Sequence, residues 1–360
     1  MGTEQTTEHL IINPADIDEA LIERAGAALR SGKLVAIPTE TVYGLGCNAL
    51  DPAAIQKVFA AKDRPFSDPL IVHVDGADMV ELVIDGPLPT VASELIDRFW
   101  PGPLTIVLPR GSDVPDEICG GLETVAIRQP SHRVAAAIIS AAGVPIAAPS
   151  ANKFSHVSPT SAEHVSADLG GDCDIIIDSG RTERGLESTV VALVGDDVVI
   201  LRHGAVTVEE IAAALSDSGT ARVLKSSGVA PATASPGHAE RHYSPKARTL
   251  AVAPNLLEML DADTEKTLAR NKVLYAGYEG SKPHLPAGWT FASFGSRGDL
   301  DGVGHDLYDV LRSIDTDEVD LIVVELTGTD RLGRAIDDRL TRAASSLVIT
   351  DPKDLVAAIL

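Results

Sequence analysis

The sequence predicts a two-domain α/β protein, and three observations carry that expectation. Short apolar runs alternate with amphipathic segments of helical period through the first two thirds of the chain. A stretch rich in Ser, Ala, Pro and Gly, residues 226–247, then interrupts the pattern and reads as a linker. Beyond it the alternation resumes over about 110 residues, an ordinary size for a small second domain. The length of 360 residues fits two domains. Apolar residues make up 44% and charged residues 23%, which excludes a disordered chain. Aromatic residues are few (Phe 6, Tyr 5, Trp 2), so Ala, Val, Ile and Leu must build the core.

Residues 16–30 read as an amphipathic helix. Asp16 is placed to cap it, Glu19 completes a box-like pattern, and Ile17, Ala20, Leu21, Ala25, Ala28 and Leu29 share a face. Gly32 stands where the helix stops, and KLVAIP follows as a strand. Asp51 and Pro52 supply a cap and a first-turn proline for a helix through Ala61. PLIVHV, LTIVLP, TVAIRQP, PIAAPS, DIIID, STVVALV and DVVILRHG are further strands. Helical patterns occupy 89–99, 133–142, 161–169 and 208–215. Such mixing around one sheet implies an α/β or α+β domain and leaves the strand order open. After the linker, RTLAVAP, NKVLYAG and VDLIVVELTG read as strands, and 255–261, 300–314, 334–344 and 352–360 as helices.

Thirty basic against 52 acidic residues give a net charge of −22. That excludes a uniformly basic nucleic-acid binder but not a local pocket for a phosphorylated ligand. Cys47, Cys119 and Cys173 form no CxxC pair, which argues against a disulfide framework or a zinc ribbon. The start MGTEQTTEHL lacks a basic segment followed by an apolar one, and no apolar run approaches the roughly 18 residues of a membrane span. A cytoplasmic protein is expected. GxxxxGK[ST], strand-GxGxxG-helix, HExxH and GxSxG are all absent, so a P-loop ATPase, a dinucleotide fold of the usual type, a zinc enzyme and a serine hydrolase are disfavoured.

The chemistry must then rest on polar residues at strand ends and in loops. PTETVYGLGCNA, residues 38–49, follows a strand with Thr39, Glu40, Thr41 and Tyr43 and with Gly44 and Gly46, which permit close backbone approach, and it reads as a ligand loop or a plain turn. In KDRP, Lys62 and Arg64 can clamp phosphate oxygens or complement a helix C-terminus. His73 ends a strand, as a ligand contact or an interior imidazole. In APSAN, Ser150 and Asn152 face the same way if the chain is extended, and Ser158 follows. All three can bind a nucleotide or serve turns and caps. Thr124 and Arg128 in TVAIRQP, Ser188 in GLESTVV and Arg202 in ILRHGAV complete the set. An arginine in an apolar strand needs a salt bridge, a strand end or an anionic ligand.

Taken in order, PTETVYGLGCNA, KDRP, PLIVH, PGPLT, AIRQP, PSAN, GLESTVV and LRHGAV resemble the YrdC-like domain of the L-threonylcarbamoyladenylate synthases. SPGHAERHYSP resembles the linker of that family's long, two-domain form, and RLGRAIDDRLTRAA its C-terminal domain. The resemblance implies a YrdC-like twisted open mixed sheet with a concave cavity over 10–218, a linker over 226–247 acting as a lid, and a smaller Rossmann-like α/β domain over 248–360. It implies synthesis of L-threonylcarbamoyl-AMP and pyrophosphate from L-threonine, bicarbonate and ATP. The product feeds threonylcarbamoyladenosine formation beside the tRNA anticodon through a separate transferase complex.

Carried over by position, the resemblance puts Thr41, His73, Arg128, Ala148 (through its backbone) and Ser188 on threonine. It puts Arg64, Asp68, Thr124, Ser150, Asn152, Ser158, Arg202, Ser235 and Tyr243 on ATP. Lys62 and Arg64 become the catalytic cations, with Mg²⁺ held mainly by ATP phosphates and no protein metal site. After SPG, His238, Ala239 and Glu240 stand where long-form linkers often carry an apolar Met and basic or aromatic residues. Two competing classes are an RNA-binding or ribosome-associated YrdC-like module, and a carbamoyl-processing enzyme related to hydrogenase maturation. The latter's acylphosphatase and zinc-finger segments are not visible in this sequence.

Overall fold

The computed structural model describes residues 6–218, 223–224 and 242–360. Contacts divide the chain into two compact units: Met1–Phe154 with Ser158–His238, and Ser155–Val157 with Ala239–Leu360.

The first unit is built on one large mixed sheet. Its strands are β1 (Glu8–Ile11), β2 (Val35–Pro38), β3 (Tyr43–Asn48), β4 (Ile71–His73), β5 (Leu104–Pro109), β6 (Thr124–Arg128), β7 (Ile146–Ala147), β8 (Ile175–Asp178), β9 (Thr189–Val194), β10 (Asp197–Arg202) and β11 (Val223–Leu224). They lie in the order β1-β8-β2-β3-β7-β4-β6-β5-β9-β10-β11. The centre mixes directions: β4 runs parallel to β6 and antiparallel to β7, and β3 is antiparallel to β2 and β7. Buried Val, Ile, Leu and Ala from these strands and their covering helices form the core. Helices Arg133–Ala142 and Pro52–Lys62 stand where their patterns place them, the latter capped by Asp51 with Pro52 at its start.

Three differences from the sequence reading have local causes. The first helix runs Glu19–Arg30 and is capped by Asp18, not Asp16, because the Asp18 carboxylate accepts from the Ala20 and Leu21 amides. Asp16 instead pairs with Asn13 in a turn ahead of it. The PTET segment is a loop only through Val42, after which Tyr43–Asn48 is a central strand. Its glycines lie within that strand, and the close approach they permit is to neighbouring strands. A Cβ on Gly46 would lie 3.0 Å from the Val35 carbonyl oxygen, and one on Gly44 3.1 Å from the Ala148 Cβ. Residues 255–261 form no single helix. Asn255 takes a left-handed φ of 60°, a 3₁₀ turn covers Leu256–Met259, and Asp261 caps a separate helix at Ala262–Leu268.

The second unit carries a five-stranded, all-parallel sheet: β12 (Arg248–Val252), β13 (Leu274–Gly277), β14 (Thr290–Ser293), β15 (Leu321–Glu325) and β16 (Val348–Ile349), ordered β14-β13-β15-β12-β16. Helices Leu300–Ile314, Leu332–Ala343 and Pro352–Ile359 accompany it. The layering is Rossmann-like. The strand order is not the 3-2-1-4-5-6 of that fold, since β15 stands between β13 and β12. Among the described residues no helix is long and apolar enough to cross a membrane.

Candidate active site

The central strands deliver several polar residues to neighbouring ends. His73 closes β4 and stands opposite Arg128, which closes the parallel strand β6. Thr41 lies in the four-residue turn between β2 and β3, and the Ala148 amide donates to the Ile71 carbonyl at 3.0 Å. A backbone contact from Ala148 to a ligand therefore falls to its carbonyl.

Arg128, 3% exposed, is held at three corners. Its Nε donates to the Gly102 carbonyl at 3.2 Å and its Nη1 to Thr41 Oγ1 at 2.9 Å. Its Nη2 faces Glu40 Oε1 at 2.6 Å in a fully buried ion pair. Burial is the largest single influence and pushes the Glu40 carboxyl up, but the Arg128 charge and close approach, together with the Glu40 and Ser131 backbone, hold the group below its ordinary range. Burial, seconded by the Arg128 charge, pushes His73 down to about 3, so its imidazole is neutral at working pH. The hydrogen-bond polarity of the turn is also fixed. Thr39 Oγ1 donates to the Val42 carbonyl at 2.6 Å, so at 2.8 Å it accepts from Thr41. Thr41 has thereby spent its proton and can only accept from a ligand.

A second cluster surrounds the PSAN segment. Lys62 Nζ donates to the carbonyls of Ser150 and Asn152, and the Lys62 carbonyl accepts from the Phe154 amide at 2.7 Å. With 1% of its surface exposed, Lys62 stands in the last turn of its helix, one of the two places its spacing allows, and tethers the Ser150–Asn152 turn. Burial, with the nearby Arg64 charge, lowers its pKa well below that of a free lysine. Arg64 donates from Nε to the Asp68 carbonyl at 3.1 Å and from Nη2 to the Pro69 carbonyl at 2.8 Å. It also pairs with the Asp68 carboxylate at 3.0 Å. Ser150 forms a bridge with Gly44 of β3, which joins this cluster to the Thr41 turn.

A third cluster lies where β9 and β10 meet. Arg202 donates from Nε and Nη2 to the Ser188 carbonyl and from Nη2 to Ser188 Oγ, at 3.0–3.1 Å. Ser188 Oγ also shares a hydrogen bond with Thr105 Oγ1 at 2.7 Å. Ser158 Oγ donates to Glu187 Oε1 at 2.7 Å. Gly204 makes this turn feasible, because a Cβ there would lie 2.4 Å from backbone atoms of Glu187, Ser188 and Thr189. The cluster thus bonds Ser188, expected on the amino acid, directly to Arg202, expected on the nucleotide.

Thr124 is not gathered with Arg128. It opens β6, four residues from Arg128 and about 13 Å away along a strand. Tyr243 is 1% exposed, has a φ of 60°, stacks on Tyr308 at 5.7 Å and lies under the Arg339 guanidinium at 5.2 Å, all within the second unit. Ser235 lies outside the described residues, as does most of the linker segment 226–247. Cys47, Cys119 and Cys173 are buried free thiols whose pKa values burial pushes up, to about 12 for Cys119 and Cys173, so none is poised as a nucleophile.

Against known proteins, the family described as telomere recombination matches residues 27–204, and the one described as threonylcarbamoyl-AMP synthase, C-terminal domain, matches 206–345. A threonylcarbamoyl-AMP synthase of Pyrococcus abyssi is 39% identical over 346 residues, covering 94% of this chain and 99% of that protein. The chain belongs to the threonylcarbamoyl-AMP synthase family. A Bacillus subtilis threonylcarbamoyl-AMP synthase is 42% identical over 91% of this chain and 94% of its own length. The crystal structure of P. abyssi Sua5 complexed with L-threonine superposes with a TM-score of 0.83 at 38% identity, covering 96% of this chain and 99% of that one. The two-domain form of the family is therefore the form of this chain.

Within the family frame, two buried carboxylates stand out to which the sequence reading gives no role: Glu40, offered by the PTET loop and paired here with Arg128, and Glu187, holding Ser158. Both sit inside motifs quoted for other residues. The available signal was an acid flanked by hydroxyl residues, Thr39 and Thr41 around Glu40 and Ser188 after Glu187.

Proposed function

We propose that this chain condenses L-threonine, bicarbonate and ATP to threonylcarbamoyl-AMP and pyrophosphate, the activated intermediate for threonylcarbamoyladenosine in tRNA. Family membership supports the reaction, and the clusters around Arg128, Lys62 and Arg202 support the division of labour. The observation that carries the reading is the buried Glu40–Arg128–Thr41 array beside neutral His73, a gathering of polar groups in an otherwise apolar sheet centre. An RNA-binding module gives no account of that array.

Threonine's neutral amine attacks bicarbonate with loss of water, or carbon dioxide with loss of the amine proton to solvent, giving N-carboxythreonine. That carboxylate attacks the α-phosphorus of ATP, and pyrophosphate leaves. The sequence of steps needs no protein nucleophile, in keeping with three buried, protonated thiols. The chain's part is positional and electrostatic. Arg128 and Thr41 orient the amino acid. Lys62 fixes the Ser150–Asn152 turn against which the nucleotide lies, and Arg64 and Arg202 bring positive charge to it. Ser188 ties the two halves of the site together through its bonds to Arg202. Among the described residues no three His, Cys, Asp or Glu side chains gather to hold a metal ion. In this reading Mg²⁺ accompanies the ATP phosphates, where it would supply charge neutralisation. Bicarbonate, the downstream transferase complex and a cytoplasmic setting belong to the same proposal.

The test is mass spectrometry of the quenched reaction with ¹³C-bicarbonate. Threonylcarbamoyl-AMP carrying the label in its carbamoyl carbon is expected. Unlabelled product, or an adenylate lacking threonine, would overturn the reading.

A further inference from the structure

Glu40 is the carboxylate that the reaction described above leaves without a task. It is 1% exposed, and neither of its oxygens receives a well-aligned hydrogen bond despite the close approach of Arg128. Two neighbouring atoms share that condition. Arg128 Nη2 and His73 Nδ1 are both buried without a hydrogen-bond partner. Buried polar atoms without partners are uncommon, and each costs stability unless something else satisfies it. Arg128 Nη2 and Glu40 Oε1 answer one another as an ion pair, which leaves Glu40 Oε2 and the neutral His73 Nδ1 as the open positions beside it. Thr41 adds a hydroxyl that can only accept.

The set has the polarity of a zwitterion's complement. A carboxylate on the ligand answers Arg128, and an ammonium answers Glu40. Arg128 alone would repel an ammonium brought beside it into a desolvated site. Glu40 cancels that repulsion, and the ion pair keeps it ionised. We propose that Glu40 receives the α-amino group of the amino-acid substrate and is a specificity-determining residue, selecting amine-bearing acids over acids that lack the amine. Arg128 is then the shared partner that holds Glu40 in register while it binds the α-carboxylate. The inference rests on the reading that L-threonine is the amino acid bound.

Calorimetry on the full chain tests it with two ligands, L-threonine and (R)-3-hydroxybutanoate, which is threonine without its amine. In Glu40→Gln the side chain keeps its size and an acceptor oxygen but loses its charge. Threonine binding should weaken about tenfold or more, the range of a charged hydrogen bond. Hydroxybutanoate binding should stay level or tighten, because the Arg128 charge is no longer offset. Glu40→Asp, which keeps the charge on a shorter arm, should retain the preference for threonine, and it serves if the glutamine variant does not fold. A parallel loss for both ligands would make Glu40 a structural support and overturn the inference, as would no change for either. Failure of the unmodified chain to bind L-threonine at all would overturn the reaction reading together with this inference. Parallel losses on top of normal wild-type binding would overturn only the inference.

Discussion

Replacing Lys62 by Met separates a tether from a phosphate clamp. Nζ donates to two buried carbonyls, those of Ser150 and Asn152. A hydrogen bond from a charged group contributes about 1.5–3 kcal/mol net, so two amount to roughly 3–6 kcal/mol. Removing a buried ammonium returns part of that, because its desolvation is relieved. A net loss of about 3 kcal/mol follows, which for a domain of this size lowers the melting temperature by on the order of 6–12 °C. The released turn carries Ser150 and Asn152, so KM for ATP should rise about tenfold while KM for threonine changes less. Thermal unfolding and initial rates of pyrophosphate release measure both. Lys62 also has a pH signature. Its native pKa is lowered by burial and the Arg64 charge, so between that value and the unfolded value near 10.5 the unfolded chain holds more protons. The wild type should therefore gain stability as pH rises through that window, and Lys62→Met should not. A fall of about a thousandfold in kcat with melting temperature and ATP KM unchanged would make Lys62 a transition-state contact and refute the tether.

Three further outcomes follow from the same geometry. His73 titrates at about 3 in the folded chain against 6.5 unfolded, so its contribution is complete above pH 6.5 and falls by about 1.4 kcal/mol per pH unit below it. Urea unfolding between pH 6.5 and 4.5 should show a shallower loss in His73→Gln than in the wild type, and equal slopes would contradict the assignment. Ser188→Ala removes a bond to Arg202 and one to Thr105, so KM should rise several-fold for both threonine and ATP. An effect on threonine alone would show that the two halves are not joined there. Tyr243→Ala deletes a ring buried against Tyr308 and Arg339, and the second unit should lose about 3 kcal/mol in calorimetric unfolding, against no loss if the ring is dispensable.

Periodicity and punctuation made much of the fold legible. The helix Arg133–Ala142 has an apolar face bounded by a polar start and Gly143, and nothing in its surroundings competes with that pattern. Strand β3 was hidden inside a segment that reads as a ligand loop or a turn, and the close approach its glycines permit is to Ala148 and Val35. Strand β14 reads TFAS, which has no apolar run and no buried residue, and β16 is two residues long, so neither registers in the sequence. The site residues could be picked out as polar groups at strand ends. Which of them are spent on one another could not, since Lys62 reaches carbonyls 88 and 90 residues away and Arg128 meets Thr41 across 87. Glu40 could be named in its loop, but its task could not be read, because its partner Arg128 lies on a strand far along the chain.

The central claim is that this site joins three substrates. Pyrophosphate release from ATP, measured with L-threonine and bicarbonate each supplied or omitted, tests it most directly. Release that requires all three is the predicted result. Release that proceeds without threonine would contradict the account, because the Glu40–Arg128–Thr41 array would then have no part in the reaction.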